Sequence, residues 1–171
     1  GRVIGVVKAY TTAVGAGPMP TELKDTTGDL LRERGLEYGT STNRPRRCGW
    51  FDAVAARFAA EVSGFTDIAV MKLDVLDGFD TVRIGVAYRD GERRLETVPH
   101  TAVMERVAPI YEDLPGWTST SEVRSFDELA PAARRFLDRI AASAGVPISI
   151  VGVGRDREAL IANPAGLGVV V

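Results

Sequence analysis

Three short runs rich in β-branched residues, 3–9 (VIGVVKA), 67–73 (DIAVMKL) and 146–153 (VPISIVGV), are separated by stretches with helical periodicity. Apolar runs of this length, bounded by turn residues, read as strands buried on both faces, and such strands occur in parallel sheets with helical crossovers. Behind Asp52, a candidate N-cap, the apolar residues Phe51, Val54, Ala55, Phe58 and Val62 recur at three- and four-residue spacing, and Gly64 follows as a stop. A second stripe, Leu129, Ala133, Phe136, Leu137, Ile140 and Ala144, follows the capping-box spacing of Ser125 and Glu128 and ends at Gly145. Residues 81–88 and 93–98 flank Asp90-Gly91, a strong hairpin signal. The expected class is α/β: a mostly parallel sheet with crossover helices plus an antiparallel hairpin.

The remaining segments are less regular. Residues 21–34 carry Leu23, Leu30 and Leu31 in a helix weakened at Gly28 and stopped by Gly35, and residues 36–47 read as a loop. Residues 101–107 suit a turn or two of helix. Pro109, Pro115 and Gly116 then predict irregular chain through Trp117, and Asn163-Pro164 onward reads as a tail.

Composition narrows the function classes. Of 171 residues, 45% are hydrophobic and 26% charged, enough for one domain with a real core. A net charge of −2, from 21 basic and 23 acidic side chains, argues against a nucleic-acid binder or a polybasic membrane anchor. No apolar run approaches the roughly 20 residues of a membrane helix. The single cysteine, Cys48, permits neither an internal disulfide nor a cysteine zinc cage, so a soluble protein of the reducing cytoplasm is expected. The chain opens without Met inside a strand-like run, and the expectation is a piece of a longer polypeptide.

Two constellations bear chemistry. Lys72-Leu73-Asp74 closes an apolar strand, where ligands of open α/β sheets bind. A carboxylate there suits guanine, accepting from both N1–H and the exocyclic amine while the Lys stem packs on the base. A strand-end ion pair is the plainer alternative. Ser41-Thr42-Asn43-Arg44-Pro45-Arg46-Arg47 puts three guanidiniums within four positions. In extended chain Arg44 and Arg46 project to one side and Arg47 to the other, a pair of forks suited to carboxylates or phosphates. A solvated basic loop is equally compatible with these residues.

The other motifs are weaker. Gly15-Ala16-Gly17-Pro18 lacks the Lys-Ser/Thr of a phosphate loop, and Gly152-Val153-Gly154 is half of a dinucleotide fingerprint. His100 reads as a surface or capping residue and Cys48 as an inert thiol. The acidic residues show no metal-ligand spacing, and no complete catalytic set is visible.

Taken in order, Val7-Lys8-Ala9-Tyr10-Thr11-Thr12, Val14-Gly15-Ala16-Gly17-Pro18, Pro20-Thr21-Glu22, the Arg loop into Gly49-Trp50, Lys72-Leu73-Asp74-Val75-Leu76-Asp77-Gly78, Pro109-Ile110-Tyr111-Glu112 and Pro115-Gly116-Trp117 resemble the carboxyl-terminal part of adenylosuccinate synthetase. The resemblance implies that residues 1–171 are the carboxyl-terminal portion of that P-loop-NTPase-like fold. It implies a GTP-dependent carbon–nitrogen ligase of purine nucleotide synthesis, which joins L-aspartate to IMP with Mg2+ and gives adenylosuccinate, GDP and phosphate. By the same resemblance Lys72, Leu73 and Asp74, with Gly152, Val153 and Gly154, bind the guanine of GTP. Thr40, Ser41, Thr42, Asn43, Arg44, Pro45 and Arg46 form the loop that closes on aspartate, Arg44 also reaching IMP and Arg46 GTP, and Val14 is a main-chain IMP contact.

It further implies a cytoplasmic homodimer with small-molecule partners, no nucleic acid and no membrane. The phosphate loop, catalytic residues and magnesium ligands are expected upstream, with none in this chain, so the chain alone is expected to be inactive. Three positions depart from the family pattern. Asn43 stands where Gly is usual, which suits a left-handed backbone. Ala13 takes a place often held by Arg, and Gly152-Val153-Gly154 lacks the hydroxyls of the common version, leaving backbone contacts. The alternative function is a stand-alone guanine-nucleotide-binding or non-catalytic interaction domain; a dinucleotide oxidoreductase built on Gly152-Val153-Gly154 fits less well, since that motif comes last in the chain.

Overall fold

Backbone pairing brings the three β-branched runs side by side in a computed structural model that describes residues 1–166. In chain order the elements are β1 (Ile4–Lys8), β2 (Thr11–Ala13), α1 (Thr26–Gly35), β3 (Arg47–Gly49), β4 (Phe51–Asp52), α2 (Ala53–Ser63), β5 (Asp67–Met71), β6 (Thr81–Asp90), β7 (Arg93–Leu95), α3 (Thr101–Met104), β8 (Ala108–Pro115), α4 (Pro131–Ala144), β9 (Ile148–Gly152) and β10 (Leu160–Ala162). The first sheet runs β1-β5-β9-β10. Its first three strands are parallel, with Val7 opposite Val70 and Val70 opposite Val151, and β10 closes the far side antiparallel. The expected α/β class, with parallel strands joined through helices, is therefore present.

Several details differ from the sequence reading, each for a local reason. Residues 3–9 form an edge strand with Val6 72% exposed, because a β-branched run alone does not distinguish a central strand from an edge. Residues 21–24 stay out of α1: Leu23 N–H donates to the Cys48 carbonyl, and Asp25 caps the helix by accepting from Gly28 N–H. At the other end Leu36, one residue after Gly35, takes the left-handed conformation. Helix α2 begins behind Asp52 and ends at Gly64 as expected, but it buries Ala53, Val54, Ala56 and Ala60, leaving Phe58 and Val62 exposed. Small residues on that side let the helix approach α4 and β6 closely.

The hairpin turns at Gly91 and belongs to a larger second sheet, in which β6 pairs with β7 and β8 antiparallel and with β4 parallel. The segment expected to be irregular is thus strand β8. Among the described residues it pairs only with β6, and an edge strand tolerates Pro109 and Pro115, whose missing N–H groups would break a central ladder. The Ser125–Glu128 capping box closes a separate 3-10 turn, and α4 starts at Pro131 because the residue before a proline is pushed out of the helical region. Its stripe packs as read, with Ala133, Phe136, Leu137, Ile140 and Ala144 buried. Of the expected tail, Asn163 donates its side-chain amide to the Ile148 carbonyl, and residues 167–171 lie outside the described residues.

The turn after β5 is tied to the end of β8. Asp77 accepts from Trp117 Nε1 at 2.7 Å and from Thr120 N–H at 2.8 Å, and Gly78 N–H donates to the Trp117 carbonyl. Trp117 packs in turn on Phe136, with ring centroids 5.5 Å apart. Gly116 makes this approach possible, since a Cβ there would overlap the backbone carbonyl of Phe79. Gly116→Ala is therefore expected to destabilise the protein by about 3 kcal/mol, read as a lower urea midpoint with unchanged slope. An unaltered midpoint would mean that the 78–80 turn yields freely.

Candidate functional site

The carboxyl ends of β1, β5 and β9 face one way because the strands are parallel, and ligands of open α/β sheets bind at that end. After β5, Lys72 takes a left-handed backbone (φ 61°), and a 3-10 turn over Leu73–Leu76 follows. Such a conformation in a non-glycine residue costs of order 1 kcal/mol and is commonly held at functional sites. It turns Lys72 and Asp74 into a cavity of about 400 Å³ that is also lined by Arg34, Gly35, Met71, Gly154 and Arg155.

Within that cavity the groups differ in what they have left to offer. The Lys72 ammonium is anchored by two hydrogen bonds, to the Gly35 carbonyl at 2.7 Å and to Glu37 Oε1 at 2.8 Å, so its stem lies along the wall. Asp74 Oδ1, by contrast, is buried and has no hydrogen-bond partner among the described residues. Burial pushes the Asp74 carboxyl above the usual aspartate value, with repulsion from Asp77 adding to it. An unmet acceptor of this kind costs roughly 1–3 kcal/mol unless a ligand supplies donors.

Glu37, in the loop after α1, is the centre of the charge arrangement. Its side chain is fully buried and accepts from Lys8, Lys72 and Arg46, each at 2.8 Å, and from the Tyr10 hydroxyl. Burial is the largest influence on this carboxyl and opposes its ionisation, but hydrogen bonds from Lys72, Lys8 and Tyr10 together hold its pKa down to about 2. Gly35 leaves the Tyr10 hydroxyl its space, for a Cβ there would overlap it.

The three arginines of the loop part company. Arg47 turns away, donating to both Glu22 oxygens at 2.8 and 2.7 Å and to the carbonyls of Gly15 and Gly17, which ties down the 14–18 turn beside exposed Val14. Arg46 engages Glu37 through Nη1, and its buried Nε has no partner among the described residues. Arg44 is exposed, and its side chain makes no hydrogen bond or ion pair among the described residues. Thr40, Ser41, Thr42, Asn43 and Pro45 are exposed with it, and Asn43 has the left-handed backbone (φ 50°) that the Asn-for-Gly swap requires.

The structure thus brings Lys72, Asp74 and Gly154 to one cavity and links them to Arg46 through Glu37. It does not bring Leu73, Gly152 or Val153 to the lining: Leu73 is a core residue, Gly152 ends β9 against Met71, and the Val153 N–H is taken by the Ala159 carbonyl. No helix follows β9; a 3-10 turn over Arg157–Ala159 leads straight into antiparallel β10, so the half fingerprint does not open a βαβ unit. His100 caps α3, accepting from Ala102 N–H. Cys48 is buried, and burial pushes its thiol up, which fits an inert role. Among the described residues no three His, Cys, Asp or Glu groups cluster as a metal would need, and no helix is long and apolar enough to cross a membrane.

Sequence reasoning missed Glu37, Arg34 and Arg155. A lone acid ahead of an arginine-rich loop is the only signal Glu37 offers, because its partners come from three separated segments, 8–10, 46 and 72.

Comparisons with known proteins follow the same line. The sequence model of the family described as adenylosuccinate synthetase matches residues 1–161. The adenylosuccinate synthetase of Thermomicrobium roseum is 55% identical over 169 residues, 96% of this chain and 39% of that protein. The chloroplastic adenylosuccinate synthetase of Triticum aestivum is 51% identical over 164 residues, 94% of this chain and 34% of that protein. Fully ligated adenylosuccinate synthetase from Plasmodium falciparum superposes with a TM-score of 0.91 at 37% identity, covering 95% of this chain and 40% of that one. The chain spans under two fifths of the length of these curated relatives.

Proposed function

The chain belongs to the adenylosuccinate synthetase family, and from that premise we propose that it is the carboxyl-terminal, guanine- and aspartate-binding part of a GTP-dependent carbon–nitrogen ligase. The whole enzyme joins L-aspartate to IMP and yields adenylosuccinate, GDP and phosphate; this segment alone is inactive. One observation carries the assignment: a buried Asp74 oxygen, unpartnered among the described residues, beside an anchored lysine stem in a cavity with ample room for a purine base.

Asp74 accepts the N1–H and exocyclic N–H of guanine, which meets its unpaired oxygen, and the base lies on the Lys72 stem. Adenine has no such donor pair and leaves the carboxylate buried and unpaid. Gly154, also in the lining, offers main-chain contact, while Leu73, Gly152 and Val153 stay out of the lining. Arg44, without a side-chain partner among the described residues, and Arg46, whose Nε has none there either, hold the aspartate carboxylates as Thr40 to Pro45 close, with Arg44 reaching IMP and Arg46 GTP. Val14 contacts IMP through its main chain. In this proposal the Mg2+ that shields phosphate charge is held by residues of the enzyme outside this segment. The working form is a homodimer in the cytoplasm; the chloroplastic relatives of wheat and rice set the plastid as the other compartment for this family.

Calorimetry with GDP tests the pocket on this chain. A preformed site holding mainly the base should give measurable heat and a Kd of about 0.1 mM. Affinity should fall as the pH drops through the raised Asp74 value, because guanine binds the ionised carboxylate, pulls its pKa back down and releases a proton. Absence of heat at neutral pH would remove the guanine assignment from this cavity.

A further inference from the structure

Resting on the guanine and aspartate assignments just proposed, we infer that Glu37 is a positioning residue that holds the base-reading segment and the dicarboxylate loop in one frame. Two arms of the same carboxylate reach the two segments: Oε1 accepts from Lys72, two residues before Asp74, and Oε2 accepts from Arg46, whose Nε is unpartnered among the described residues. Lys8, from the end of β1, bridges both oxygens at 2.8 Å and fixes the carboxylate to the sheet. Tyr10 donates its hydroxyl to Oε1 in the space that Gly35 leaves open.

Charge balance gives this cluster its force. Three cations face one carboxylate in a site with no access to solvent at Glu37, so the cluster keeps positive charge to offer an anionic ligand while the carboxylate keeps the cations together. Without the negative charge, Lys72 and Arg46 repel each other and lose their common anchor. Glu37 touches neither guanine nor aspartate in this arrangement; it acts through Lys72 and Arg46 on both. Supporting groups of this kind typically change affinity by roughly 10- to 100-fold when removed.

The test uses the full-length enzyme that carries this segment. Glu37→Gln keeps the shape and a hydrogen-bond acceptor but loses the charge, and the KM for GTP and for aspartate should both rise by about tenfold, with kcat changed by less than about threefold. Wild-type values for both, or a rise in only one, would overturn the inference, since a residue needed only for stability would lower Tm and leave both KM values alone. Should Glu37→Gln fail to fold, Glu37→Asp keeps the charge on a shorter arm and should raise both KM values by about threefold; unchanged values there overturn it equally. Asp74→Asn run in parallel separates the two ideas. An unaltered GTP preference in that variant removes the guanine assignment, whereas a switched preference with wild-type KM values in Glu37→Gln removes only the role of Glu37.

Discussion

Asp74→Asn in the full-length enzyme should cut kcat/KM for GTP by about a thousandfold, or about 4 kcal/mol, and make xanthosine triphosphate the better substrate. The amide nitrogen that replaces one carboxylate oxygen would face the guanine amine donor to donor, while xanthine presents a C2 carbonyl that accepts from it. The size of the effect follows from burial. Asp74 Oδ1 is buried and has no partner among the described residues, so a matching ligand satisfies it and a mismatched base leaves polar groups unpaired. Steady-state kinetics with the two nucleotides read the switch directly. Retained GTP preference would mean that the carboxylate does not touch the base.

Arg44→Leu and Arg46→Leu should each raise the aspartate KM by about 100-fold, the loss of a charge-assisted fork on a dicarboxylate. The two variants part on stability. Arg44 has no internal bond among the described residues, so its replacement should leave Tm unchanged. Arg46 is one of the three cations on buried Glu37, and its loss should lower Tm as well as weaken aspartate binding. Normal aspartate saturation in both variants would take the loop out of the site.

The reason these two variants differ was invisible along the chain. Alternation in an extended segment correctly separates Arg47 from its neighbours, and it does turn aside to Glu22. It treats Arg44 and Arg46 as equivalent forks, and the fold makes one a solvent-facing arm and the other part of a buried ion cluster. Helix α2 tells the same story: its caps, Asp52 and Gly64, are local and were readable, whereas the choice of an alanine face over Phe58 and Val62 depends on how near α4 and β6 can come. Strand β8 escaped notice because its prolines look like breakers until the pairing puts them on an edge.

Local backbone preference and short-range hydrogen bonding are written residue by residue, and so the amino-acid order determined the parallel strands, the α4 stripe, the hairpin turn and the candidate pair Lys72 and Asp74. What required the tertiary structure was which polar groups lose water together. Glu37 became a hub because Lys8 and Tyr10, Arg46, and Lys72 converge on it from three separated segments, and Asp74 kept an unmet oxygen because the described residues close around it without supplying a donor. Desolvation depends on everything packed around a group, and no spacing rule along one chain contains that information.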